Sequence, residues 1–185
     1  MRYFNSDDIR KFNENVKTAG ATVILENASI SKKASSQKCD VFLSHSSKDK
    51  DDLPAVIEFL KRFGVKAYVD KADDDLPKKT TSETGKIIKN RIAECKKFIV
   101  LVSDNSKESK WIPWELGIGD EKKSIDNVAL LPKSDDSSSG WPEQEYLGLY
   151  PRIVYNTFKG QDSPVWMVLD HHNNKGTELS KWLKQ

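Results

Sequence analysis

Trp111 and Glu115 stand four residues apart in the stretch SKWIPWELGIG, residues 109–119. On a helix that spacing puts both side chains on one face. A carboxylate there can hold hydroxyl groups or stabilise a developing positive charge, and an indole offers its face to a cation. The competing reading makes the indoles of Trp111 and Trp114 core and leaves Glu115 a solvated charge, the usual fate of a helical glutamate. Pro113 suits only the first turn of a helix, so the pairing requires a helix that has begun by Trp111.

From Cys39 onward, short apolar runs alternate with helical periodicity. Residues 40–44, 65–69, 97–102, 128–132 and 152–155 read as five buried strands, with helices over LPAVIEFLKRF and ETGKIIKNRIAECK between them and Gly64 as a C-terminal stop for the first. This is the pattern of an α/β protein with a parallel sheet covered by helices on both faces. In the common flavodoxin-like strand order 2-1-3-4-5, a ligand sits outside the carboxyl ends of the first and third strands. That rule selects Ser44 and His45 in SHSS and Ser103 in SDNS, and it places Glu115 beside the same crevice. A dinucleotide-binding glycine turn and a P-loop are both excluded, because SHSSKDKDD after the first strand holds no glycine. A phosphoacceptor receiver is disfavoured by serines at both strand ends, with Asp40 at the wrong end of its strand.

The remaining composition narrows the class. Thirty basic and 28 acidic residues are interspersed, for a net charge of +2, without the one-sided stripe of a nucleic-acid binder. The longest apolar runs, such as FIVLV, fall far short of the roughly 20 residues that span a bilayer. Cys39 and Cys95 have neither zinc-knuckle nor CxxC spacing and are expected as buried, reduced thiols in a cytoplasmic protein. His171 and His172 lack partners at metal-ligand spacing, so no metal is expected, and DHHNNKG reads as a polar turn. Residues 1–38 form an extension: a helix capped by Ser6 or Asp7 with Ile9, Phe12 and Val16 on one face, a strand at ATVILEN, and a polar linker over 29–38. Residues 39–185 form the main domain, closed by a short helix carrying Leu179, Trp182 and Leu183, with Trp182 as a core plug.

The strings CDVFLSHSSKD, AYVD and FIVLVSDNSKESKWIPWELG, with the lone Glu115 after a Ser-terminated third strand, resemble a Toll/interleukin-1 receptor (TIR) domain of the bacterial, NAD+-cleaving kind. The resemblance runs from about Cys39 to the C-terminus and is clearest to Gly119. It implies cleavage of the nicotinamide–ribose bond, with NAD+ as substrate and no cofactor, to give ADP-ribose or a cyclic ADP-ribose isomer in antiphage signalling. It maps the catalytic glutamate onto Glu115 and moves Trp111 from core to site. Ser44, His45, Asp70 and Ser103 complete the substrate-binding set; His45 either polarises a ligand group or caps a loop, and Asp70 either orients the loop that follows it or is a solvated turn residue. TIR–TIR self-association and a downstream effector that senses the cyclic nucleotide product are the implied partners. The loop DKADDDLPKKTTSETG departs from the family in lacking a glycine before Gly85. Two other functions fit the same residues: a non-enzymatic TIR adaptor, and an enzyme like the nucleoside deoxyribosyltransferases, which also use a glutamate on such a sheet.

Overall fold

The computed structural model describes residues 1–28, 39–70, 81–134 and 144–185. The linker 29–38 and residues 71–80, which hold the acidic and basic clusters after Asp70, lie outside the described residues. Strands β1 (Phe4–Asn5), β2 (Val41–Ser44), β3 (Ala67–Tyr68), β4 (Lys97–Val102), β5 (Val128–Ser134), β6 (Arg152–Asn156), β7 (Val165–Asp170) and β8 (Lys175–Glu178) form one sheet. Its path is β3-β2-β4-β5-β6-β7-β8, with β1 beside β5. The stretch from β3 to β6 is parallel and reproduces the expected order of five strands; β6, β7 and β8 are antiparallel and widen the sheet beyond it.

Alternation along the central strands divides the core in two. Val41, Leu43, Ile99, Leu101, Ala129 and Leu131 share one face with apolar residues of α1 (Ser6–Ala19), α2 (Ala21–Asn27), α3 (Leu53–Lys61) and α6 (Leu179–Trp182). Phe42, Phe98, Val100, Val102, Val128 and Leu130 share the other with α4 (Ser82–Glu94) and α5 (Trp111–Lys123). All six residues of β4 are buried, as a strand covered on both faces requires. Trp182 is the expected plug: it is buried, and its Nε1–H donates to Asp126 O at 2.8 Å.

Four expectations change. ATVILEN is helix α2, not a strand, because Ile24 and Ala28 bury against the α3 side of the core and tertiary packing overrides the β-branched run. Asn5 caps α1 in place of Ser6 or Asp7, its side chain accepting from Asp8 N while Asp8 accepts from Asn5 N. Cys39 and Cys95 are joined as a disulfide with Cα atoms 4.6 Å apart; the register Val41–Lys97 sets the residues two before each strand side by side. Trp114 is surface and not core, 37% exposed, with its ring against Gly85 of α4. The polar turn at DHHNNKG is the β7–β8 connection, tied by Asp170 accepting from the main chain of His172 and Asn173.

α5 lies very close to the sheet. A Cβ at Gly119 would stand 2.8 Å from the buried ring of Phe98, itself stacked on Phe42 at 5.4 Å. Gly119→Ala is therefore expected to destabilise the protein by roughly 1 to 3 kcal/mol, read as a lower melting temperature, whereas Gly117→Ala, with nothing near its Cβ, is expected to leave it unchanged or slightly raised.

Candidate active site

Ile112, Glu115, Leu116 and Gly119 are the buried positions of α5, the i, i+3, i+4, i+7 stripe of a helix facing a core. Glu115 therefore occupies a slot that packing would fill with an apolar residue. It is 3% exposed, and its Oε2 accepts a hydrogen bond of 2.6 Å from Ser44 Oγ at the last position of β2. Burial pushes the Glu115 carboxyl up to about 8, the charge of Asp70 adds to that, and the Ser44 hydroxyl opposes it. At neutral pH the neutral form of this carboxyl is favoured.

The neighbours follow from strand ends. Asp70 comes one residue after Val69 at the end of the β3 edge, with a side chain 26% exposed, and His45 Nδ1 lies 3.7 Å from Asp70 Oδ1. The same Nδ1 is 3.3 Å from Leu43 O, to which it donates when protonated. Ser44, His45, Asp70 and Glu115 thus converge at the carboxyl ends of β2 and β3, with Trp111 one turn earlier on α5. Trp111 is half-buried against the α4–α5 side of the core and meets Trp114 edge-on at 5.2 Å.

Ser103 is at the expected strand end, but its hydroxyl is engaged elsewhere. Ser103 Oγ donates to Asp49 Oδ2 at 2.7 Å and accepts from Asn105 N at 3.2 Å, while Asn105 Nδ2 donates to Asp49 Oδ1 at 2.6 Å. Asp49, buried in the turn after β2, fastens the loop leading into α5 to the loop carrying His45. Asp49 has no role in the sequence reading, although it closes the string CDVFLSHSSKD and lies five residues beyond the end of β2, in the loop that the strand order selects.

No helix among the described residues is long and apolar enough to cross a membrane. Residues 41–166 match the family model described as TIR domain. The chain is 36% identical over 154 residues to a Bacillus cereus (strain MSX-D12) protein named "Probable 3' cyclic ADP-D-ribose synthase ThsB'", covering 79% of this chain and 76% of that one. It is 34% identical over 104 residues to a Cytobacillus dafuensis protein named "Putative cyclic ADP-D-ribose synthase TIR2", covering 55% of this chain and 27% of that one. The match over most of the chain, on the sheet order and strand-end site described above, makes this protein a member of the TIR domain family.

Proposed function

We propose that the protein cleaves NAD+ at the nicotinamide–ribose bond and releases ADP-ribose or a cyclic ADP-ribose isomer. The observation that carries this reading is Glu115, a carboxyl in an apolar helix slot, hydrogen-bonded by Ser44 and placed at the sheet's switch point. Nicotinamide leaves as a neutral pyridine, so the reaction needs little general-acid help, unlike an ordinary glycoside that uses two carboxyl groups. One carboxylate in a water-poor site suffices to hold ribose hydroxyls and stabilise the oxocarbenium ion as the bond breaks. The substrate's pyridinium brings the positive charge that draws Glu115 into its ionised form. The names of the two relatives, both synthases of cyclic ADP-D-ribose, favour the cyclised product.

On this reading NAD+ is consumed as substrate and not retained as cofactor. The product acts in the cytoplasm on an effector that senses it, in antiphage signalling. Self-association through the loop after Asp70 belongs to the same proposal, supported by the acidic run and the basic run in DKADDDLPKKTT, which can pair head to tail. The test is product analysis by mass across a wide range of protein concentration, with NAD+ and deoxynucleosides offered side by side. Nicotinamide release with rising specific activity is expected; turnover of deoxynucleosides alone, or of neither, overturns the assignment.

Trp111 supplies the cation face. Trp111→Ala is expected to lower kcat/KM for NAD+ by about two- to thirtyfold and Trp111→Phe by less, since a phenyl ring keeps part of the interaction. Steady-state kinetics beside thermal melts decide it: an equal loss in both variants with a lower melting temperature marks the indole as packing only.

A further inference from the structure

Residues 2–28 tie together two ends of the sheet's carboxyl pole. At one end, Arg2 exchanges main-chain hydrogen bonds of 2.9 Å with Tyr155 of β6, and Phe4 and Asn5 pair in parallel with Lys133 and Ser134, the last residues of β5. The ladder between β5 and β6 is the pair Leu130–Arg152, so beyond it the N-terminal segment stands between the two strands. Phe4 is fully buried among Phe12, Phe59 and Trp166, and the Arg2 guanidinium is clamped by Asp8 and by the rings of Tyr155 and Trp166. From this anchor α1 and α2 cross α3. At the other end Ala28 O accepts from Val69 N at 3.2 Å, on the outer side of the two-residue edge strand β3.

Val69 is the residue before Asp70. Beyond Tyr68 the β2–β3 ladder has ended; the Val69 side chain is buried in the core, and among the described residues its amide finds its main-chain partner in Ala28 O. We infer that Ala28 is a positioning residue for the reaction proposed above: its carbonyl holds the Val69–Asp70 main chain beside Glu115, and the wedge at residues 2–5 is the fixed end from which it does so. The inference rests on Glu115 as the reacting-site carboxylate. Among the described residues, the groups that face Glu115 are the Ser44 hydroxyl from β2 and Asp70 from beyond β3, with His45 set against Asp70 in turn. Asp70 is already partly exposed, so release of Val69 lets it drift toward solvent and removes a negative charge from beside Glu115.

The test follows the Glu115 carboxyl directly, by carbon-13 titration of the full chain without NAD+, together with hydrogen exchange at the Val69 amide. Ala28 is buried against the core, so Ala28→Leu overfills its place and pushes the carbonyl away, while Ala28→Ser keeps the size. Ala28→Leu is expected to speed Val69 exchange at least about tenfold and to lower the Glu115 midpoint by about one pH unit; Ala28→Ser is expected to resemble the unaltered protein. An amide-to-ester replacement at Val69 deletes the donor and leaves every side chain in place. An unmoved Glu115 midpoint in the ester protein overturns the inference, whatever Ala28→Leu does. Because the titration needs no turnover, its outcome stands apart from whether Glu115→Gln loses NAD+ cleavage.

Discussion

Glu115→Gln is expected to abolish NAD+ cleavage and to make the protein more stable. The amide keeps the shape and can still accept from Ser44 Oγ, but it carries no charge to set against an oxocarbenium ion, and a loss of about a hundredfold to a thousandfold or more in kcat follows. The stability gain comes from linkage. Folding raises the Glu115 carboxyl from its ordinary value of 4.5 to about 8. Below pH 4.5 the group is neutral in both states and costs nothing. As pH rises toward 8 the unfolded chain ionises first, so stability is lost throughout that window and stays lost above it. The substituted protein does not carry this penalty, and its advantage at pH 9 is on the order of a few kcal/mol. Melting curves from pH 4 to 9 check this: the two proteins should coincide at the acid end and diverge steadily above it. Parallel curves would show that Glu115 titrates normally, and an active Gln variant would remove it from the chemistry.

Ser44→Ala is expected to give a defect that depends on pH. Among the described residues, the Ser44 hydroxyl favours the ionised form of Glu115; without it, burial and Asp70 hold the carboxyl further toward its neutral form. In the unaltered enzyme kcat/KM reports the free enzyme and should rise with pH along a limb near 8. In Ser44→Ala the limb should move to higher pH, so that the loss is about tenfold at pH 7 for each unit of displacement and shrinks toward pH 10. A loss of the same factor at every pH would mean that Ser44 acts on the substrate and not on Glu115.

The parallel half of the fold was legible because buried strands write themselves as apolar runs, as KFIVLV does, and their order then located Ser44, His45 and Glu115 at one pole. Glu115 also left a trace in α5: a carboxylate in register with Ile112, Leu116 and Gly119 departs from the pattern around it. Other features left less. VWMVLD is as apolar as any central strand, but its partner KGTE has almost no strand character, and the hairpin is visible only once β6 offers an edge. In α2, Thr22, Val23 and Ile24 favour a strand locally, and the helix exists because α3 receives Ile24 and Ala28. The web that takes up the Ser103 hydroxyl depends on Asp49, 54 residues away, a contact between loops that no local pattern records.

The segment threaded between β5 and β6 also bears on how the chain reaches this state. Phe4 is made long before Lys133, its strand partner, and Trp166, whose ring it meets. A chain emerging from the ribosome at roughly 5 to 20 residues per second holds that phenylalanine without its place for several seconds. The core cannot close in the order of synthesis, and the contacts that complete it are the most distant in sequence, the kind that form slowly because loop closure precedes any gain. During that interval the apolar segment around Phe4 and the gap between β5 and β6 that receives it are both unfilled, a state in which nascent copies can associate with one another.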